Sequence, residues 1–173
     1  MLDKDKARRS FGRAAASYDA TAVLQHEIGR RMLARLDYMR IRPARILDIG
    51  CGTGVATGEL LRRYPKAEVI ALDFALPMLL RARRRGRWLR RPRCLCADLD
   101  FLPFASQSID LVFANASLQW SASPAETFVD IARVLRSGGL FLFSSFGPDT
   151  LQELRAAWSA VDGTQHVHGF IDM

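Results

Sequence analysis

Apolar residues recur at every fourth position early in the chain, at Leu24, Ile28, Met32 and Leu36. That spacing places them on one side of a helix, and the first 40 residues read as helical until Pro43 breaks the pattern. Beyond Pro43, short apolar runs alternate with helical stretches. Strands are expected at 44–49, 68–72, 93–97, 109–114 and 140–146, and helices at 55–64, 77–85 and about 150–161. The helix between the last two strands is the best marked. Ser123 stands as its cap, Pro124 at its first position and Glu126 three residues after the cap. Ala125, Phe128, Ala132 and Leu135 supply its expected buried face, and Gly138 and Gly139 suit a left-handed C-terminal cap.

Strands that alternate with helices and are apolar almost throughout imply a parallel sheet covered by helices on both faces, an α/β fold. No internal repeat or linker divides the chain. Its 173 residues, 49% apolar and 25% charged, suit one domain with a real core. The longest uncharged stretch, between Asp110 and Glu126, contains Asn115, Gln119 and several serines, and so is no membrane span. Residues 1–17 include Asp3 and Asp5 and lack an apolar core, so they are no secretory signal. Three cysteines give no disulfide framework, and a reducing cytoplasm is the simplest setting. Cys94 and Cys96 point to one face of a strand and read as small buried apolar residues.

The net charge is +7, and 22 of the 25 basic residues are Arg, eight of them within 81–93. Such a surface invites nucleic acid, an anionic membrane or an acidic protein. The plainer reading is a solvated helix surface. The helix after the second strand runs toward the opposite end of the sheet, so Arg83, Arg84, Arg85 and Arg87 should lie away from any site at the strand ends, favoured there by the helix dipole. No RNA-binding motif accompanies the charge.

The strongest chemical signal is Asp48-Ile49-Gly50-Cys51-Gly52-Thr53-Gly54, between the first strand and the next helix. Glycines there allow a tight turn and close approach of a ligand at the carboxyl ends of the strands. A dinucleotide fingerprint requires G-x-G-x-x-G, but here the third glycine is at 54 and Val55 follows. Asp48, two positions before the first glycine, instead gives acid-x-G-x-G-x-G, a pattern suited to S-adenosylmethionine, whose ammonium a carboxylate can help to hold. Asp73, 23 residues after Gly50, can accept from both ribose hydroxyls, which fits NAD as well as S-adenosylmethionine. Asp98 can accept from an adenine amino group while Leu99 packs on the ring, and Asn115 falls near the reacting methyl.

These residues resemble the class I S-adenosylmethionine-dependent methyltransferases. The flanking words are more specific. Phe11-Gly12-Arg13-Ala14-Ala15-Ala16-Ser17-Tyr18-Asp19, Asn115-Ala116-Ser117-Leu118-Gln119-Trp120, Phe146-Gly147-Pro148-Asp149-Thr150-Leu151-Gln152-Glu153-Leu154-Arg155 and the closing His166-Val167-His168-Gly169-Phe170-Ile171-Asp172-Met173 resemble the malonyl-[acyl-carrier protein] O-methyltransferase family of biotin synthesis. The resemblance implies a Rossmann-like class I methyltransferase fold, here without that family's C-terminal β-hairpin. It divides the chain into an N-terminal helical lid (1–42), a cofactor-binding core (43–147) and the start of a substrate-side region (148–173). Family members run on for many tens of residues. The expectation is therefore a chain that keeps the cofactor pocket, transfers methyl weakly or not at all, and leaves its fifth strand as a sheet edge.

The implied activity is methylation of the free carboxylate of a malonyl thioester on an acidic acyl-carrier protein in the cytoplasm, with S-adenosylhomocysteine as the second product and neither membrane nor nucleic acid as partner. A carboxylate is ionised at neutral pH and needs no general base, in keeping with the lack of a recognisable triad, metal cluster or acid/base pair. Cys51, Phe74 and Met78 join Asp48, Gly50, Gly52, Asp73, Asp98, Leu99 and Asn115 in the implied cofactor set. Tyr18, on the lid, is the implied catalytic residue, its phenol donating to the substrate carboxylate; the alternative is a ring that packs on the sheet edge. Gln119 and Trp120 either line an acyl pocket or pack within their helix. Arg155 either pairs with the substrate carboxylate or sits on a helix surface. His166 and His168 alone make no metal site. Arg8, Arg9 and Arg13, beside the lid, are better placed for an acidic carrier than the 81–93 cluster. Other readings are a complex I assembly factor associated with arginine hydroxylation, which shares the FG-DTL-EL pattern, a quinone-pathway C-methyltransferase, and a cofactor-binding assembly factor without transfer activity.

Overall fold

The computed structural model describes residues 3–161; the closing segment with His166 and His168 lies outside the described residues. Five strands form one parallel sheet: β1 (Arg45–Ile49), β2 (Glu68–Asp73), β3 (Arg93–Cys96), β4 (Ile109–Asn115) and β5 (Leu135–Ser144), in the order β3-β2-β1-β4-β5. Three helices make the crossovers: α4 (Val55–Arg63) from β1 to β2, α5 (Leu76–Ala82) from β2 to β3, and α6 (Pro124–Val134) from β4 to β5. The chain builds outward from β1 to β3, then returns to place β4 on the other side of β1. The loops after β1 and β4 therefore diverge and leave a crevice at the carboxyl ends of the strands.

Alternate residues of each strand enter opposite cores. Leu47, Ile49, Ile70, Leu72, Val112 and Ala114 pack with Ile131 and Val134 of α6. Ile46, Val69, Leu111 and Phe113 pack on the other face with Leu60 and Leu61 of α4. This two-sided burial explains the nearly unbroken apolar strands. It holds for β1, β2 and β4 but not for β3, which pairs only with β2 and is largely exposed. Cys94 and Cys96 are thus exposed rather than buried, β3 being an edge strand with no further strand pairing beside it among the described residues.

The N-terminal region is three helices rather than one: α1 (Lys4–Ala14), α2 (Tyr18–Thr21) and α3 (Val23–Arg35), with a 3-10 turn at Leu36–Tyr38. Of these, α3 packs into the main core, while Phe11 of α1, Ala15 and Tyr18 of α2 join a smaller cluster with Ala75 and Met78. Met32, Leu33 and the following Leu36 join the α4 side, whereas Leu24 of the expected stripe is 57% exposed. The buried face of α6 is partly displaced: Thr127, Ile131 and Val134 are fully buried, Phe128 and the following Leu135 pack against the core as expected, and Ala125 and Ala132 are exposed. Ser123 makes no side-chain cap bond. Gly138 and Gly139 do not cap α6 either, because the chain passes directly from Val134 into β5. They lie in a bulge, where pairing steps from Ile109–Leu135 to Leu111–Leu140. The last helix, α7 (Gln152–Ser159), is shorter than expected at both ends.

Phe113 is completely buried, so Phe113→Ala should cost about 3–5 kcal/mol. Phe101→Ala, at a residue 80% exposed, should change stability by less than about 0.5 kcal/mol. Urea unfolding of the two variants measures both, and similar losses would contradict this assignment of the core.

Candidate functional site

The crevice contains a cavity enclosing about 880 Å³ of space, part of it open to solvent. Its floor is the loop after β1. Gly50, Gly52 and Gly54 all have positive φ, at 64°, 55° and 79°, the conformation that glycine adopts without strain. Two of them also permit close packing. A Cβ on Gly50 would collide with Ser117, whose Oγ donates to the Ile49 carbonyl at 2.9 Å and joins the loops after β1 and β4. A Cβ on Gly54 would lie 2.8 Å from Ala82 Cα, where α4 meets α5.

Two carboxylates face this cavity from strand ends. Asp48 is 1% exposed and accepts from Thr57 Oγ1 at 2.5 Å. Asp73 is 5% exposed and accepts from the backbone N–H groups of Gly52 at 2.9 Å and Ala75 at 2.8 Å. Neither forms an ion pair among the described residues. Burial pushes the Asp48 carboxyl up to about 7; the Thr57 hydroxyl opposes this and the Asp73 charge adds to it. Burial also raises Asp73, against the pull of its backbone donors. Cys51 lies in the same floor, and burial holds its thiol well above the usual range, so it offers no thiolate.

The roof comes from α1 and α2. Phe11 stands edge-on to Trp120 at 5.2 Å and near Phe74 at 6.0 Å and Tyr18 at 6.1 Å. Burial, with the charges of Asp73 and Asp19, raises the Tyr18 phenol, so the ring keeps its proton at neutral pH. Three polar clips fasten the roof and α3. Lys4 Nζ binds Asp98 at 2.6 Å and Asp100 at 2.5 Å. Asn115 Nδ2 donates to the Gln25 carbonyl at 2.8 Å. Asp19 accepts from Thr53 Oγ1 and, at 2.7 Å, from Arg85 Nη2, while Arg85 Nε donates to the Thr53 carbonyl at 2.9 Å. Burial acts upward on Asp19, but the hydrogen bonds from Thr53 and Arg85 outweigh it and hold the carboxyl below its usual range.

Most of the sequence-selected residues therefore meet in one place. Tyr18, Asp48, Gly50, Cys51, Gly52, Asp73, Phe74, Met78, Asp98, Leu99, Asn115 and Trp120 all line the cavity. Gln119 and Arg155 do not. Gln119 Nε2 donates back to the Ala116 carbonyl at 2.6 Å, because a 3-10 turn folds it over its own loop. Arg155 donates to the carbonyls of Pro148, at 2.5 Å, and Thr150, just ahead of its own helix. Arg85 reverses an expectation, since it holds the glycine loop to α2 instead of facing away. Among the described residues no group of His, Cys, Asp and Glu is arranged to hold a metal ion, and no helix is long and apolar enough to cross a membrane. Sequence reasoning missed Phe11, Gln25 and His26 as cavity residues. Phe11 opens the familial FGRAAASYD word, which is a usable signal. Gln25 and His26 carry none, because their placement depends on how α3 crosses the sheet.

Residues 47–143 match a family described as a methyltransferase domain. The malonyl-[acyl-carrier protein] O-methyltransferase of Halorhodospira halophila is 50% identical over 171 residues, covering 99% of this chain and 58% of that protein. The protein of the same name from Gallionella capsiferriformans is 45% identical over 179 residues, covering all of this chain and 62% of that one. The chain thus spans about three-fifths of the length of these curated relatives. Among solved structures, an S-adenosylmethionine-dependent methyltransferase from Mesorhizobium loti is 30% identical with a TM-score of 0.58, over 66% of this chain and 52% of that one.

The Asp48 geometry predicts a pH dependence of stability. An unfolded Asp titrates near 3.9 and the folded Asp48 near about 7. Between those values the folded state binds more protons, so the contribution of Asp48 is full below the lower value and is lost as pH rises through the upper one. Asp48→Asn keeps an acceptor for Thr57 and removes the charge. Urea unfolding should show the variant more stable than the parent at pH 8, with the difference shrinking toward pH 5. A constant difference across that range would contradict the buried, uncompensated charge.

Proposed function

The chain belongs to the methyltransferase-domain family, whose methyl donor is S-adenosylmethionine, and from that premise we propose that it binds this cofactor in the cavity and methylates the carboxylate of a malonyl thioester carried by an acyl-carrier protein. The observation that carries the cofactor assignment is the pair of buried carboxylates, Asp48 and Asp73, that face the cavity without a cation. A ligand bearing an ammonium, a sulfonium and a ribose diol supplies the partners they lack. The substrate assignment is supported by the relatives' names and by the FGRAAASYD word carried into the roof. A cytoplasmic setting agrees with this reading and with three free cysteines.

Asp48 helps to hold the ammonium, and Asp73 accepts from the ribose hydroxyls. Asp98 keeps Oδ2 available for an adenine amino group while its Oδ1 holds Lys4, and Leu99, Phe74 and Met78 enclose the rings. Bound there, the cofactor supplies an electrophilic methyl: an O–CH3 bond forms as the S–CH3 bond breaks, leaving a methyl ester and S-adenosylhomocysteine. Because the substrate carboxylate is already ionised, the protein's contribution is orientation and exclusion of water. The aromatic roof of Phe11, Tyr18 and Trp120 excludes the water. The protonated Tyr18 hydroxyl positions the carboxylate near Asn115.

The test is incubation with S-adenosylmethionine and malonyl-carrier protein, read by mass spectrometry for addition of one methyl to the malonyl group. Tyr18→Phe should lower turnover at least tenfold while cofactor affinity stays within about twofold, a tenfold change being about 1.4 kcal/mol. Equal turnover in Tyr18→Phe alongside a loss in Tyr18→Ala would reduce the role of this residue to packing. Methylation of a different acceptor class in preference to malonyl-carrier protein would overturn the substrate assignment.

A further inference from the structure

We propose that the surface formed by α1 and α5 is the docking site for the acidic carrier protein, with Arg9, Arg13, Arg81 and Arg84 gripping carboxylates on either side of an apolar strip made by Leu76 and Leu80. This rests on the methyl-transfer reading above and names its partner surface.

Residues 74–97 contain eight arginines and no carboxylate. Three of the eight are engaged: Arg85 with Asp19, Arg90 with the Tyr64 carbonyl and Arg93 with Glu68. The side chains of Arg81 and Arg84 are exposed and make no hydrogen bond or ion pair among the described residues. On α5 the buried side is Met78, Leu79 and Ala82. Leu76 and Leu80, one turn apart on the opposite side, are 55% and 54% exposed. Arg84, four residues beyond Leu80 and just past the end of α5, follows the leucines, and Arg81 stands next to Leu80 in the chain.

The upper end of the strip meets α1. A Cβ on Gly12 would lie 3.5 Å from Pro77 Cγ, so the Gly12 face of α1 rests on the start of α5. Arg9, three residues before Gly12, lies toward that side of α1, Arg13 stands one position beyond Gly12, and the side chains of both are exposed and unpaired among the described residues. The result is two leucines with guanidinium groups at both ends. That pattern complements an amphipathic helix carrying carboxylates around an apolar ridge, the helix-on-groove mode of recognition with charge setting the orientation.

Both ends of this surface adjoin the cavity. Phe11, between Arg9 and Arg13, lines it. Arg85, next to Arg84, is clipped to Asp19 of α2 and to Thr53 of the glycine loop. A carrier seated here presents a tethered thioester at the rim of the roof. The basic cluster therefore does not all face away from the site. It starts at the rim and supplies half of the docking surface.

The experiment measures binding of malonyl-carrier protein by calorimetry at low salt and again at high salt. The parent should bind, and more weakly at high salt. The variant Arg9→Glu/Arg13→Glu/Arg81→Glu/Arg84→Glu should bind the carrier at least tenfold more weakly, with unchanged affinity for S-adenosylmethionine. Its methylation of a malonyl group on a small thiol should equal the parent's. A second variant, Arg40→Glu/Arg42→Glu, reverses exposed charges elsewhere and should bind the carrier like the parent. Equal carrier binding by the fourfold variant would overturn the proposal. So would an equal loss in the second variant, or a parent that ignores the carrier but binds anionic phosphatidylglycerol vesicles or duplex DNA. If no malonyl thioester is methylated while the arginine-dependent carrier binding persists, the catalytic reading falls and the docking surface stands.

Discussion

Two carboxylates buried without a cation are the constraint around which this molecule is organised. Removing a charge from water is costly, and a buried carboxylate without a cation normally avoids the cost by taking up a proton. Asp48 does so in part, its carboxyl raised to about 7. The fold nevertheless places it and Asp73 at adjacent strand ends, held only by a hydroxyl and backbone N–H groups. Such an arrangement leaves both carboxylates without a charged partner among the described residues. The parallel sheet makes it possible because the strand ends, the glycine loop and the start of α4 converge at the switch between β1 and β4.

The roof completes the constraint. An open crevice would let water solvate both carboxylates, and Phe11, Tyr18 and Trp120 line the same cavity with aromatic rings. Polar clips add to the ring contacts. Lys4 reaches Asp98 and Asp100, Asn115 reaches Gln25, and Arg85 joins Asp19 to Thr53. Each clip ends on a residue that lines the cavity or stands beside one. The roof is therefore attached through side chains that also border the cavity. Asp98 shows this most directly, since one carboxylate serves both the roof lysine and the cavity.

Much of this was legible in the sequence, for physical reasons that differ from element to element. The central strands were readable because two-sided burial leaves no room for polar residues. The glycine loop was readable because its three positive φ angles and its contacts with Ser117 and Ala82 exclude side chains. Asp48, Asp73, Asp98 and Asn115 were readable from their positions at strand ends. The failures also have causes. Leu24 and Ala125 fit an apolar period, but tertiary packing selected a neighbouring stripe. Gly138 and Gly139 resembled a helix cap, but the register shift against β4 required a bulge. Cys94 and Cys96 looked buried because sequence does not reveal which strand is an edge. Arg85 was lost among identical neighbours, and only the packing of α5 on α4 distinguishes it.

The most direct test is proton release on binding of S-adenosylmethionine, measured by calorimetry near pH 6.5 in two buffers of different ionisation heat. A cation bound beside Asp48 favours its ionised form and lowers its pKa, so protons must leave as the cofactor binds. The expected result is an apparent binding heat that differs between the buffers, affinity that rises as pH increases from 6 to 7, and loss of both effects in Asp48→Asn. Identical heats in the two buffers together with pH-independent affinity would show that the buried carboxylates do not receive the cofactor's charge, and would contradict the account at its centre.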